Sequence, residues 1–201
     1  MKTLKIFSFI LILLSLACST QAQQTVTVHF LYGSTPARGY EKLEKKRFGG
    51  KKGGHVSIET GDSIIGFQPK GTCHIVGKKQ YCNGYFRADD KRKWMTDTVG
   101  NKYSSILIPL TNEQYCKVKI TVVNYLQKTP YDYAFLGMRC AAATYDVLEQ
   151  AGIVKKRSRL AKWTAFFYPQ LLRRQMLKMA KENNYAVVKH AGRSTRSWEM
   201  E

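Results

Sequence analysis

The longest apolar run in the chain is FSFILILLSLA at 7–17, with Lys2 and Lys5 before it and STQA after it. Thr20 and Ala22 occupy the positions a signal peptidase reads, so residues 1–22 are predicted to be a cleavable signal peptide. The run is short for a hydrocarbon core of ~30 Å, and no later stretch is long enough to span one. Lipidation at Cys18 is the alternative, with Ser15 standing where a lipoprotein signal has Leu. Beyond residue 23, TVTVHFLY at 25–32 alternates and is β-branched, which predicts a strand. GSTPARGYEKLEKKRFGGKKGG is polar, basic and glycine-rich, and predicts a loop or short helix followed by a hinge. HVSIETGDSIIGFQPKG predicts a hairpin with strands at 55–60 and 63–68 around a Gly61-Asp62 turn. YSSILIPL, between Asn101 and Pro109, predicts another strand, and HIVGKKQY a short hairpin with GKK at its tip.

From Thr111 the period changes. Thr111 and Gln114 have capping-box spacing, and Tyr115, Val118, Val122, Tyr125 and Leu126 recur on one helical face until Pro130. Cys116 on that helix is expected to be a buried thiol. YDYAFLGMR reads as a connection, and CAAATYDVLEQAG as a strong helix stopped by Gly152. Its face of Cys140, Thr144, Val147, Leu148 and Ala151 is expected to pack inward. The segment 155–181 mixes basic and aromatic residues. It becomes helical after Pro169, with Leu171, Leu172, Gln175, Met176 and Met179 on one side. YAVVKHAG predicts a last strand before a polar tail. Strands in one half and helices in the other indicate an α+β fold, and about 180 residues after residue 22 suffice for a single domain.

Composition then narrows the partners. The chain carries 33 Lys and Arg against 14 Asp and Glu, a formal charge of +19. Such a field favours an anionic cell-wall polymer or an acidic lipid surface. Nucleic acid is not expected, since neither an aromatic-stacking signature nor zinc-finger spacing is present. Four cysteines lie beyond the leader: Cys73, Cys82, Cys116 and Cys140. In an exported chain the close pair Cys73 and Cys82 suggests a disulfide. No second close Cys or His pair exists to complete a metal site, and the reading includes no cofactor.

Two residues carry candidate chemistry. Cys140 opens a predicted helix, where unpaired N–H groups, the helix dipole and Arg139 favour a thiolate. His55 opens a strand after Gly53-Gly54. Counting outward from the turn pairs Thr60 with Ser63 and His55 with Gln68, so Gln68 is placed to hold the imidazole tautomer. Glu59 and His74 are the other candidates for that role. Each residue also has a plain alternative: a small buried side chain at a helix start, and an exposed histidine at a strand start.

The order Gly-Gly-His-Val-Ser-Ile-Glu with its hairpin, then Tyr-Asp-Tyr, then Cys at a helix start resembles the circularly permuted papain-like proteins. These include the permuted branch of the NlpC-type cell-wall peptidases and the relatives of lecithin:retinol acyltransferase. The resemblance covers roughly residues 50–152. It implies an antiparallel sheet packed against the cysteine-bearing helix, in one domain over 23–201 with a basic C-terminal extension. It further implies Cys140 as nucleophile, His55 as base, a polar residue on the neighbouring strand (here Gln68), and Tyr133 at the cleft. Arg139, adjacent to the thiol, is expected to help bind substrate. Many permuted members have Asn where this chain has Arg139. The expectation is an exported thiol hydrolase, periplasmic or secreted, acting on cell-wall peptides. A lipid-directed acyltransferase or hydrolase of the same fold and a non-catalytic envelope binding protein are the alternatives.

Overall fold

The computed structural model describes residues 24–31, 35–43, 54–78, 82–192 and 195–197. The predicted leader, Cys18 and all but the start of the basic loop at 42–52 lie outside these. Among the described residues, fifteen elements follow in order. They are β1 (Gln24–Leu31), β2 (Thr35–Pro36), β3 (His55–Thr60), β4 (Ser63–Pro69), β5 (His74–Val76), β6 (Gly84–Asp90), α1 (Lys91–Asp97) and β7 (Tyr103–Leu110). The second half holds α2 (Asn112–Gln127), β8 (Ala134–Leu136), α3 (Cys140–Gln150), α4 (Arg159–Ala165), α5 (Pro169–Asn183), β9 (Val187–His190) and β10 (Arg196–Ser197). The fold is α+β. Its main sheet has the order β6-β4-β3-β1-β7-β9 with every neighbouring pair antiparallel.

Alternation along the strands divides this sheet into two unlike faces. Val26, Val28 and Phe30 of β1 align with Val56 and Ile58 of β3 and with Ile106 and Ile108 of β7. All are buried in one cluster with Ala141, Ala142, Tyr145 and Leu148 of α3. Each such aliphatic or aromatic side chain contributes about 1.5–3 kcal/mol on burial. The opposite face carries His29, Ser57, Glu59 and Ser105, and α1 covers part of it through Trp94, whose ring lies 4.8 Å from His29.

Helix starts follow their sequence signals. At α2 the capping box is complete, with Thr111 Oγ1 accepting from the Gln114 N–H and the Gln114 side chain accepting from the Thr111 N–H. Asp90 caps α1 in the same way through the Lys93 N–H. Helix α3 is buried through Leu148 on all sides rather than along one stripe. Its Ala141-Ala142-Ala143 run lets the sheet, α2, α4 and α5 approach its backbone.

Four expectations are corrected. Residues 74–76 do not form a hairpin with the residues after them; β5 pairs in parallel with β8, inside the segment read as a plain connection. Cys116 is exposed, because the buried stripe of α2 is Val118 and Val122. Cys73 and Cys82 are free thiols rather than a disulfide. Each points to a different carbonyl of the 131–133 segment, Cys82 Sγ to Tyr131 O at 2.9 Å and Cys73 Sγ to Tyr133 O at 3.9 Å. Among the described residues, no helix is long and apolar enough to cross a membrane.

Candidate active site

Cys140 is the first residue of α3, and Arg139 before it supplies no side-chain cap. The thiol is 4 % exposed. The Val56 N–H, the Ala141 N–H and the Tyr133 hydroxyl all interact with its sulfur. Val56 follows His55 directly, so the sulfur meets β3 at the peptide bond that His55 begins. Tyr133 also takes the N–H of Cys140. Its ring is held by stacking on Phe67 of β4, with centroids 5.1 Å apart.

The imidazole of His55 approaches the same strand end from the other side. It lies over Gly66, where an added Cβ would stand 2.7 Å from Nε2 and 3.3 Å from Ser57 Oγ. Ser57 belongs to the face opposite the helix-covered Val56 and Ile58. Gln68 Nε2 contacts His55 Nε2 at 3.2 Å. The sheet pairing that produces this contact runs from Thr60–Ser63 to Ser57–Gly66, as the two-residue turn requires. Thiol and imidazole are not hydrogen-bonded to each other among the described contacts. Gly66 is therefore the residue that admits the ring. Gly66→Ala should displace the imidazole, break its contact with Gln68 and cost about 1–3 kcal/mol as an overpacked site, measured by urea denaturation. An unchanged midpoint would mean that the ring is not held there.

The electrostatics differ from the sequence expectation for sulfur. Burial pushes the Cys140 thiol up. The Val56 N–H, the Arg139 charge, the Ala141 N–H and Tyr133 oppose that shift without overcoming it. The helix N-terminus and Arg139 were expected to lower the value, but a thiolate in this buried setting loses more hydration than they return. Burial first, then the Arg87 charge, pushes His55 down to about 4, with Asp89 opposing. Tyr133 is raised well beyond the ordinary phenol range by burial and then by Cys140, so its hydroxyl keeps its proton.

Other expected residues have other partners. Arg139 packs its guanidinium 3.7 Å from the Phe167 ring centroid, with Phe135 and Tyr168 on its flanks. Its guanidinium is stacked on these aromatic rings. His74 Nδ1 bonds Asp132 Oδ2 at 2.6 Å, and Asp132 also accepts from the Lys78 and Asn83 N–H groups. Glu59 accepts from His29 at 3.0 Å and from Lys91 at 2.6 Å. Neither His74 nor Glu59 orients His55.

Glu59 belongs to a polar chain that the sequence did not disclose. His29 Nδ1 lies 2.8 Å from Ser105 Oγ, and Ser105 Oγ lies 3.1 Å from His190 Nε2. His29 and Ser105 are both buried. The chain ties β1, β3, β7 and β9 together beneath Trp94 and Tyr103. Alternation alone places His29 and Ser105 on polar-face positions, but their meeting follows from the β1–β7 register.

Among the described residues, no group of three or more His, Cys, Asp or Glu side chains could hold a metal ion. The arrangement is an α+β scaffold with a thiol at a helix start against the Val56 N–H and the Tyr133 hydroxyl, and an imidazole on the preceding residue of the same strand that faces Gly66 and Gln68. In comparison with known proteins the chain matches no family model, and no curated protein or solved structure is significantly similar to it.

Proposed function

We propose that the protein is an exported cysteine hydrolase of the permuted papain-like type, a peptidase or amidase acting on cell-wall peptides. The observation that carries this reading is the position of the Cys140 sulfur at the Val56 N–H, one residue from a histidine that Gln68 contacts. In the mechanism the imidazole, which rests over Gly66 on the face of β3 away from the helix, reaches the sulfur only if the backbone at the start of β3 shifts together with its side chain. With the Gln68 amide turned so that Oε1 faces the ring, Nε2 holds the proton and Nδ1 is the base. His55 takes the thiol proton as sulfur attacks the acyl carbon, and the carbonyl π pair moves to oxygen. The Cys140 N–H and the Tyr133 hydroxyl stabilise that oxyanion. Collapse breaks the C–N bond, and the leaving amine takes the proton from His55. Water, deprotonated by His55, then cleaves the thioester and releases the acid.

The test is hydrolysis of peptidoglycan stem peptides, followed by mass spectrometry. Cys140→Ala fits a helix start already followed by three alanines and is expected to fold. It should lower the rate by about 1000-fold or more. Retained cleavage in that variant would remove the nucleophile and the proposal with it.

One observation favours the lipid-directed reading of the same site. Ile75 and Val76 of β5 and Phe135 and Leu136 of β8 are exposed side by side on the two-stranded ribbon that leads to Cys140. Apolar side chains on a strongly basic chain suit the surface of an anionic bilayer. Co-sedimentation with phosphatidylglycerol vesicles that is lost on Phe135→Ser would support it, and no sedimentation at low salt would exclude it.

A further inference from the structure

A cavity of about 370 Å³ opens behind the segment that leads to Cys140. Five stretches enclose it: residues 77–78, Cys82, 128–132, 137–138, and α4 through Arg159 and Trp163. Lys78, Lys128 and Arg159 stand around it, all three exposed. None of the three forms an ion pair with a carboxylate among the described residues, although the molecule has salt bridges elsewhere at Lys91, Lys117 and Lys162. Three unneutralised cations around one hollow repel one another, an arrangement that an anion relieves.

The single acid in the wall does not fill that role. Asp132 is buried and spends its oxygens on His74 and on the N–H groups of Lys78 and Asn83. The remaining wall includes the aromatic and apolar Tyr131, Met138 and Trp163 beside Thr129 and Cys82. Arg159 lies over the Tyr131 ring at 5.8 Å. Trp163 contributes to the wall, and its indole N–H is buried without an acceptor among the described residues.

We propose that this cavity is an anion-binding site for a compact dianion of the phosphate-monoester type carried on a flat apolar body. The oxyanion would sit among Lys78, Lys128 and Arg159, with the guanidinium fork and the ammonium groups as charge-assisted donors. The apolar body would lie against Tyr131 and Trp163. The site does not depend on the catalytic reading of Cys140, since neither Cys140 nor His55 lines it.

The experiment is isothermal titration of the full chain with phenyl phosphate at low salt, beside inorganic phosphate. One saturable site is expected, with phenyl phosphate binding at least about tenfold tighter than inorganic phosphate. Lys128→Glu and Arg159→Glu should each weaken it by about tenfold or more. Lys117→Glu is the control: it is on α2, whose C-cap is Lys128, but pairs with Glu113 outside the cavity, and should leave affinity within about twofold at matched salt. Cys140→Ala should bind normally, which separates this site from the proposed hydrolase. No saturable binding overturns the site. Equal weakening by Lys117→Glu and Lys128→Glu also overturns it, because the attraction is then that of the whole basic surface. Equal affinity for the two phosphates overturns the aromatic subsite.

Discussion

Iodoacetamide should modify Cys140 about a hundredfold faster at pH 8 than at pH 6, with no plateau between them. The sign follows from both partners. His55 is pushed down to about 4, so its imidazole is neutral throughout that range. Burial holds the Cys140 thiol above its ordinary value, so its thiolate fraction still grows by about tenfold per unit below neutrality and beyond. At rest the sulfur is a thiol and the imidazole is neutral, so in the proposed mechanism the proton moves during attack. Exposed Cys116 provides an internal standard for the intrinsic pH dependence of the reagent. Cys140 should be slower than Cys116 at every pH, because the thiol is enclosed. Mass spectrometry of the two peptides gives both rates. A flat rate from pH 5 to 8 would show a preformed ion pair and reverse the electrostatic account.

Asp146→Ala should be the most destabilising single substitution of a charged side chain, at about 3–5 kcal/mol. Lys162 Nζ bonds Asp146 Oδ1, and it bonds Glu149 Oε1 at 2.9 Å. The Tyr125 hydroxyl donates to Asp146 Oδ2 at 2.7 Å and that of Tyr131 to the same oxygen at 3.4 Å. Asp146 and Lys162 are both buried. Removing the carboxylate leaves a buried ammonium with half its acceptors and two phenols with none. Against a total of about 5–15 kcal/mol for an ordinary domain, that loss takes much of the margin. Adding Lys162→Met to Asp146→Ala should recover part of it, since an apolar pair avoids the stranded charge. Urea denaturation of the three proteins measures this, and a single-variant cost below about 1 kcal/mol would refute the cluster's role. The same cluster sets a pH limit. Burial alone would lower Lys162, but the bonds to Asp146 and Glu149 outweigh it and raise the value. Its stabilisation is therefore complete below the ordinary lysine value of 10.5 and is lost as pH rises above it through the raised value.

Local elements were readable where local rules dominate. The β3–β4 hairpin followed from alternation around Gly61-Asp62, and α2 from its capping box and apolar stripe. Strand β9 and the helix after Pro169 followed from periodicity, while β10 lies in what was read as a polar tail. Helix α1 was missed although Asp90 before KRKWMTD is a fair N-cap signal, because the run carries no apolar stripe. Residues of β5 were read as an arm of a local hairpin and β8 was missed, because three-residue parallel pairs leave no periodic trace. They exist by virtue of each other, 60 residues apart along the chain.

The sequence by itself determined the basic charge, the β3–β4 hairpin, the helices opening at Asn112 and Cys140 and the pairing that puts Gln68 opposite His55, since each depends on composition or on neighbours a few residues apart. Tertiary structure alone decided that the Cys140 sulfur ends at the Val56 N–H and that burial outweighs the helix dipole there. It also decided that Glu59 serves His29 and that His74 serves Asp132. Those outcomes depend on desolvation and on contacts between remote segments, and neither quantity is defined until the chain has closed on itself.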